Sequence, residues 1–77
     1  MSDISTALTS YLEWKGNTTT VPSSSAIKVG YAWRASKEFT IPAAQSSTTK
    51  DEVVEIGDII ICTQAKTAQD VAKFTVA

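Results

Sequence analysis

The sequence predicts a mainly β protein: a short N-terminal α-helix followed by a small antiparallel β sandwich or barrel-like module of about five short strands. Three observations carry this expectation. Ile27, Val29, Tyr31 and Trp33 alternate with Lys28, Gly30, Ala32 and Arg34, the period of a strand with one apolar face. Ile59-Ile60-Ile61-Cys62 is an unbroken apolar run of strand length, which calls for burial on both faces. Nine Ser and eleven Thr make up twenty of the 77 residues, and neither a βαβ alternation nor an internal repeat is visible.

The helix is expected first, from Asp3 to about Leu12. Ile4, Ala7, Leu8, Tyr11 and Leu12 fall on one helical stripe, and Ser2 or Asp3 can cap it by accepting an orphan backbone N–H. A helix this short is marginal alone, so the stripe must pack on its own domain or on copies of itself. Gly16-Asn17 then interrupts the pattern. The stretch to Ser25 carries no charge and only Val21 as a strongly apolar residue. Pro22 pushes Val21 toward extended geometry.

The first strand is expected over Ala26–Arg34, with Gly30 marking a bulge or bend. Phe39-Thr40-Ile41 is a second, stopped by Pro42. Residues 43–51 form a polar loop. Glu52–Thr63 holds two β-branched runs split by Gly57-Asp58, the turn that sets register. Gln64–Ala68 is a turn region, and Val71–Val76 is the last strand. Three segments result: 1–16, an amphipathic helix for oligomerisation or attachment; 17–25, an extended Thr/Ser-rich linker; and 26–77, a small β domain. Val54, Ile56, Ile59, Ile61 and Phe74 are assigned to its core.

Size and composition narrow the function. A chain of 77 residues buries only about 60–65% of its unfolded surface, so its stability balance is close to zero. One Cys and no His rule out an intrachain disulfide and a zinc cage. Oligomerisation is the remaining source of burial. No apolar run approaches the length of a membrane span. Met1-Ser2-Asp3 opens acidic and polar, unlike a signal peptide. Seven Lys+Arg against eight Asp+Glu, with neither sign clustered, argue against nucleic acid as a partner.

The chemistry-bearing residues give no catalytic site, no metal site and no cofactor. Without His there is no Ser-His-Asp or Cys-His arrangement, and three glycines cannot build a phosphate cradle. Cys62 ends the Ile run and reads as a small core hydrophobe. Asp51, Glu52, Glu55 and Asp58 are the one acidic cluster. On a strand Glu52 and Glu55 point to opposite faces, so the cluster reads as a solvated face plus a turn aspartate. Asn17-Thr18-Thr19 matches the glycosylation sequon and reads as chance. Among the aromatics, Trp14 is assigned to oligomer packing with Ile4, Leu8 and Tyr11. Tyr31, Trp33 and Arg34 are the candidate ligand-binding residues, with Trp33 expected to be the exposed one.

Three motifs in order resemble structural modules of tailed-bacteriophage virion fibres. Tyr11-Leu12-Glu13-Trp14-Lys15-Gly16, a Thr-rich stretch and Val21-Pro22-Ser23, then Ala26-Ile27-Lys28-Val29-Gly30-Tyr31, are similar to the opening of such modules. Val54-Glu55-Ile56-Gly57-Asp58-Ile59-Ile60-Ile61-Cys62 resembles their central segment, and Ala72-Lys73-Phe74-Thr75-Val76 their aromatic-Thr-Val ending. The resemblance covers roughly residues 11–77. It departs at Gly30, which is followed by Tyr31 where the family has aspartate. The resemblance implies a virion protein of a tail fibre or head fibre. Its expected partners are two further copies, as a homotrimer, and other virion proteins: capsid, tail or a longer fibre chain. The alternative expectation is a receptor-binding module presenting Tyr31, Trp33 and the 43–51 loop to a host-surface glycan.

Overall fold

The computed structural model describes residues 12–77. Six strands follow in order: β1 (Glu13–Thr18), β2 (Tyr31–Ala35), β3 (Phe39–Ile41), β4 (Glu52–Val54), β5 (Ile59–Gln64) and β6 (Lys73–Val76). They form a four-stranded sheet in the order β1-β2-β5-β6 and a two-stranded β3-β4 sheet. The mainly β expectation holds. The all-antiparallel one is corrected, because β1 pairs parallel to β2 while the other pairs are antiparallel. A parallel pair needs a long crossover, and the irregular segment between Thr18 and Tyr31 supplies it.

No α-helix occurs among the described residues. The last part of the expected 1–16 helix, Glu13–Gly16, is instead strand, and the strand takes in Asn17 and Thr18 from the expected linker. Gly16, at φ +102°, lies at the register shift between Trp14 and Asn17, a bulge that an L side chain would resist. The stripe residues Ile4, Ala7, Leu8 and Tyr11 lie outside the described residues.

The core lies between the two sheets. Ile60 and Cys62 of β5, Phe74 of β6 and Ala35 of β2 meet Ile41 and Val54 of the small sheet, with Ile27 and Ala72 closing the ends. Alternation explains the selection: Phe39 faces Val54 and Ile41 faces Glu52 across the β3–β4 pair. Val53, on the other face, is exposed.

Two glycine turns correct the strand reading on either side of this core. The strand expected from Ala26 begins only at Tyr31. Before it, Lys28–Tyr31 is a turn closed by the Tyr31 N–H on the Lys28 carbonyl, 3.2 Å, with Gly30 at φ +94°. Glu55–Asp58 is a turn of the same kind, closed at 3.0 Å, with Gly57 at φ +95°. Positive φ at the third position is the type II requirement. Val29 and Ile56 therefore ride at turn corners, 63% and 70% exposed, which overturns the core assignment of Ile56. The two turns are related by the local two-fold of the β2–β5 pair. Gly30 N–H donates to the Cys62 carbonyl at 3.0 Å, and Gly57 N–H donates to the Ala35 carbonyl at 2.8 Å.

The polar 43–51 loop is more ordered than its composition suggests. After a single 3-10 turn at Ala43–Gln45, Ser46 is fully buried. Glu52 points to the same side of its strand as buried Val54, so its carboxylate needs donors. Ser46 Oγ donates to Glu52 Oε1 at 2.8 Å, and Thr48 Oγ1 donates to the same oxygen at 3.0 Å. The Ser47 N–H then donates to the Phe74 carbonyl at 2.9 Å, covering the outer edge of β6. Glu52 is thus a structural acceptor rather than part of a solvated acidic face. Asp58 is the expected turn aspartate, its Oδ2 accepting the Glu55 N–H at 3.0 Å.

Candidate functional site

The two faces of the four-stranded sheet carry different residues. Register places Tyr31, Trp33 and Ala35 with Ile60 and Cys62 on the core side, and Trp14, Ala32, Arg34, Ile59 and Ile61 on the outer side. Arg34 is thereby separated from Tyr31 and Trp33, so the three candidate ligand-binding residues do not converge. Arg34 lies by Asn17, Ser36 and Ile56.

On the core side, Tyr31 and Trp33 line a shallow groove of about 300 Å³ with Lys15, Pro22, Ser23 and Ser24. Trp33 is half-buried, not the exposed tryptophan. Its ring meets Tyr31 edge-on at 6.2 Å and Phe74 edge-on at 5.8 Å, favoured T-shaped contacts. Lys15 Nζ sits 4.4 Å from the centre of the Tyr31 ring and donates to Glu13 Oε2 at 2.9 Å. That hydrogen bond to the Glu13 carboxylate holds the Lys15 ammonium above its ordinary pKa. Lys15 was not legible as a site residue. Only the parallel β1–β2 pairing brings it over Tyr31.

On the outer side, Trp14, Ala32, Ile61 and Thr75 form one row across the sheet. Beside it opens a cavity of about 520 Å³ whose walls include Leu12, Val29, Ile61, Thr63 and Thr75. Trp14 is 56% exposed. Ile61 is buried but stands outside the main core cluster, and Ile59 is half-buried. Ile61 is thus buried as expected, though on the outer face of the sheet, while Ile59 is corrected from a core residue to a half-buried one.

The remaining chemistry is quiet. Cys62 is buried, its Sγ donating to the Gln64 carbonyl at 3.1 Å, and burial raises its thiol pKa, the opposite of activation. Among the described residues no three His, Cys, Asp or Glu side chains gather to hold a metal ion. The chain matches no protein-family model, no curated protein and no solved structure.

Proposed function

We propose that this chain is a non-catalytic structural module of a phage virion fibre that acts by self-assembly, as a homotrimer. One observation supports the reading above others: the isoleucine run of β5 is apolar on both faces, and the core cluster takes only Ile60 and Cys62 from it. Ile59 and Ile61 lie on the other face, where Trp14 and Val29 leave large apolar area in water. With Ala32 and Ile61 buried, the apolar area this face leaves in water is that of Trp14 and Val29; exposed apolar groups of this size are a candidate contact, and a closed homo-oligomer is the commonest way to cover one. The fibre assignment rests on the three sequence motifs.

Light scattering over a concentration series tests the assembly. A mass three times the 8.2 kDa of one chain is the expected result. A monomer at every concentration overturns the reading.

The Tyr31–Trp33 groove favours a second reading, a binding module for a surface glycan, because it combines two aromatic rings with the hydroxyls of Ser23 and Ser24. Tryptophan emission titrated with host polysaccharide should then change in the parent and not in Trp33→Ala. An unresponsive parent removes this reading.

A further inference from the structure

We infer that the Tyr31–Trp33 groove takes a linear acidic saccharide, a chain bearing uronic-acid carboxylates, with Lys15 holding it at one end and Lys66 at the other. The inference deepens the glycan reading of that groove and rests on it. The shape of the groove, the sign of its charge and the fixity of its walls carry it.

The groove does not stop at the residues around Tyr31. A second hollow of about 120 Å³ abuts it, and the two share Pro22, Ser23, Ser24 and Ile27 as a common wall. Lys15 lines the first beside the two rings, and Lys66 lines the second with Gln45. An elongated ligand lying along both would cross the 22–27 segment with one ammonium on each side of it. No carboxylate is among the described residues that line either hollow, although the chain has more acidic than basic residues, eight against seven. The acid beside Lys15, Glu13, accepts one of its N–H groups at 2.9 Å. Both partners are exposed, so that pair is weak, and the ammonium, with three N–H groups, can still donate to a ligand carboxylate. Lys66 likewise uses one, on the Thr67 carbonyl at 3.1 Å.

The rest of the lining matches a pyranose better than a peptide. A sugar ring has an apolar C–H face and a hydroxyl edge. The groove opposes to these the Tyr31 and Trp33 rings and the hydroxyls of Ser23 and Ser24. Ser24 Oγ already accepts the Ala26 N–H at 3.1 Å, which leaves its proton to donate to a sugar oxygen. The walls are set before a ligand arrives. Trp33 is held by edge-on contacts to Tyr31 and Phe74. Ile27 is anchored in the core, and its carbonyl accepts the Lys66 N–H at 3.2 Å, tying the backbone of the second cation to the common wall. Rigid aromatic rings and a fixed backbone lower the ordering cost of binding.

In the test, Trp14→Phe leaves Trp33 as the single tryptophan reporter. The full chain is titrated with an oligogalacturonate, an uncharged malto-oligosaccharide and an oligoglutamate of equal length, by emission and by calorimetry. The oligogalacturonate should change Trp33 emission to saturation, and its binding should weaken as sodium chloride is raised. Lys15→Gln and Lys66→Gln, both at exposed positions, should each raise the dissociation constant by about 3- to 10-fold while circular dichroism stays that of the parent. Lys37→Gln, outside both hollows, should leave it unchanged. Equal losses in all three variants mean diffuse attraction and overturn the inference. So does binding that neither salt nor a lysine variant weakens. A response to the malto-oligosaccharide of the same strength keeps the glycan reading and overturns the acidic ligand. Preference for oligoglutamate makes the occupant an acidic peptide and overturns the saccharide. A chain silent to all three probes by both methods removes the groove reading and this inference together.

Discussion

Gly57 shows how one residue decides where the chain changes sheets. Its φ of +95° aims the chain from β4 in the small sheet to β5 in the large one. A Cβ added there would meet nothing closer than Arg34 Nη2 at 3.9 Å, so space is not the constraint. The backbone angle alone is, and it costs an L residue about 1–2 kcal/mol. Gly57→Ala should therefore lower unfolding stability by that amount in urea melts with an unchanged m-value. A loss near zero would mean the turn relaxes to another type. The sequence shows this glycine and the aspartate after it as a turn signal. It does not show that Ile56, an apolar residue inside a β-branched stretch, sits at the corner in water. A reading that weighs hydrophobicity before turn position places Ile56 in the core, and Val29 before Gly30 misleads in the same way.

At the scale of elements, β5 and its neighbours were legible and β1 was not. A run of β-branched residues announces a buried strand whatever pairs with it. Trp14-Lys15-Gly16-Asn17 has weak strand propensity. Its pairing is with residues about 18 positions away, across an irregular segment, and no local pattern encodes a parallel partner. The clasp of the 43–51 loop was hidden for a related reason. Ser46 is one of nine serines, and only the fold makes it the partner of an inward-facing carboxylate. Removing its hydroxyl strips one donor from Glu52 and should cost about 1–2 kcal/mol. In Ser46→Ala the amides of residues 46–49, including the Ser47 N–H on β6, should exchange with deuterium faster. The β2 and β5 amides should hold their protection. Uniformly faster exchange would show that the loop is part of the global folding unit rather than a separable clasp.

For the whole molecule, the weight of the trimer reading falls on the mass measurement, with the thermal midpoint as companion: an assembled fold melts higher as protein concentration rises. The candidate faces were partly legible at this scale. Trp14 stands exposed on the outer face, but the cavity beside it is made by Leu12, Val29, Thr63 and Thr75, drawn together from four places in the sequence. Tyr31, Trp33 and Arg34 are near neighbours in the chain. Strand alternation divides them between opposite sides of the sheet.

The parallel pairing of β1 with β2 has a mechanical meaning. Since β2 is antiparallel to β5, and β5 to β6, the first and last strands run in the same direction on opposite edges of the sheet. Tension applied between Leu12 and Ala77 thus pulls along the strands. It draws β1 and β6 past their neighbours lengthwise, so that the hydrogen bonds of each ladder share the load instead of opening one at a time from an end. A module built this way resists stretching along its strands far better than peeling from its side.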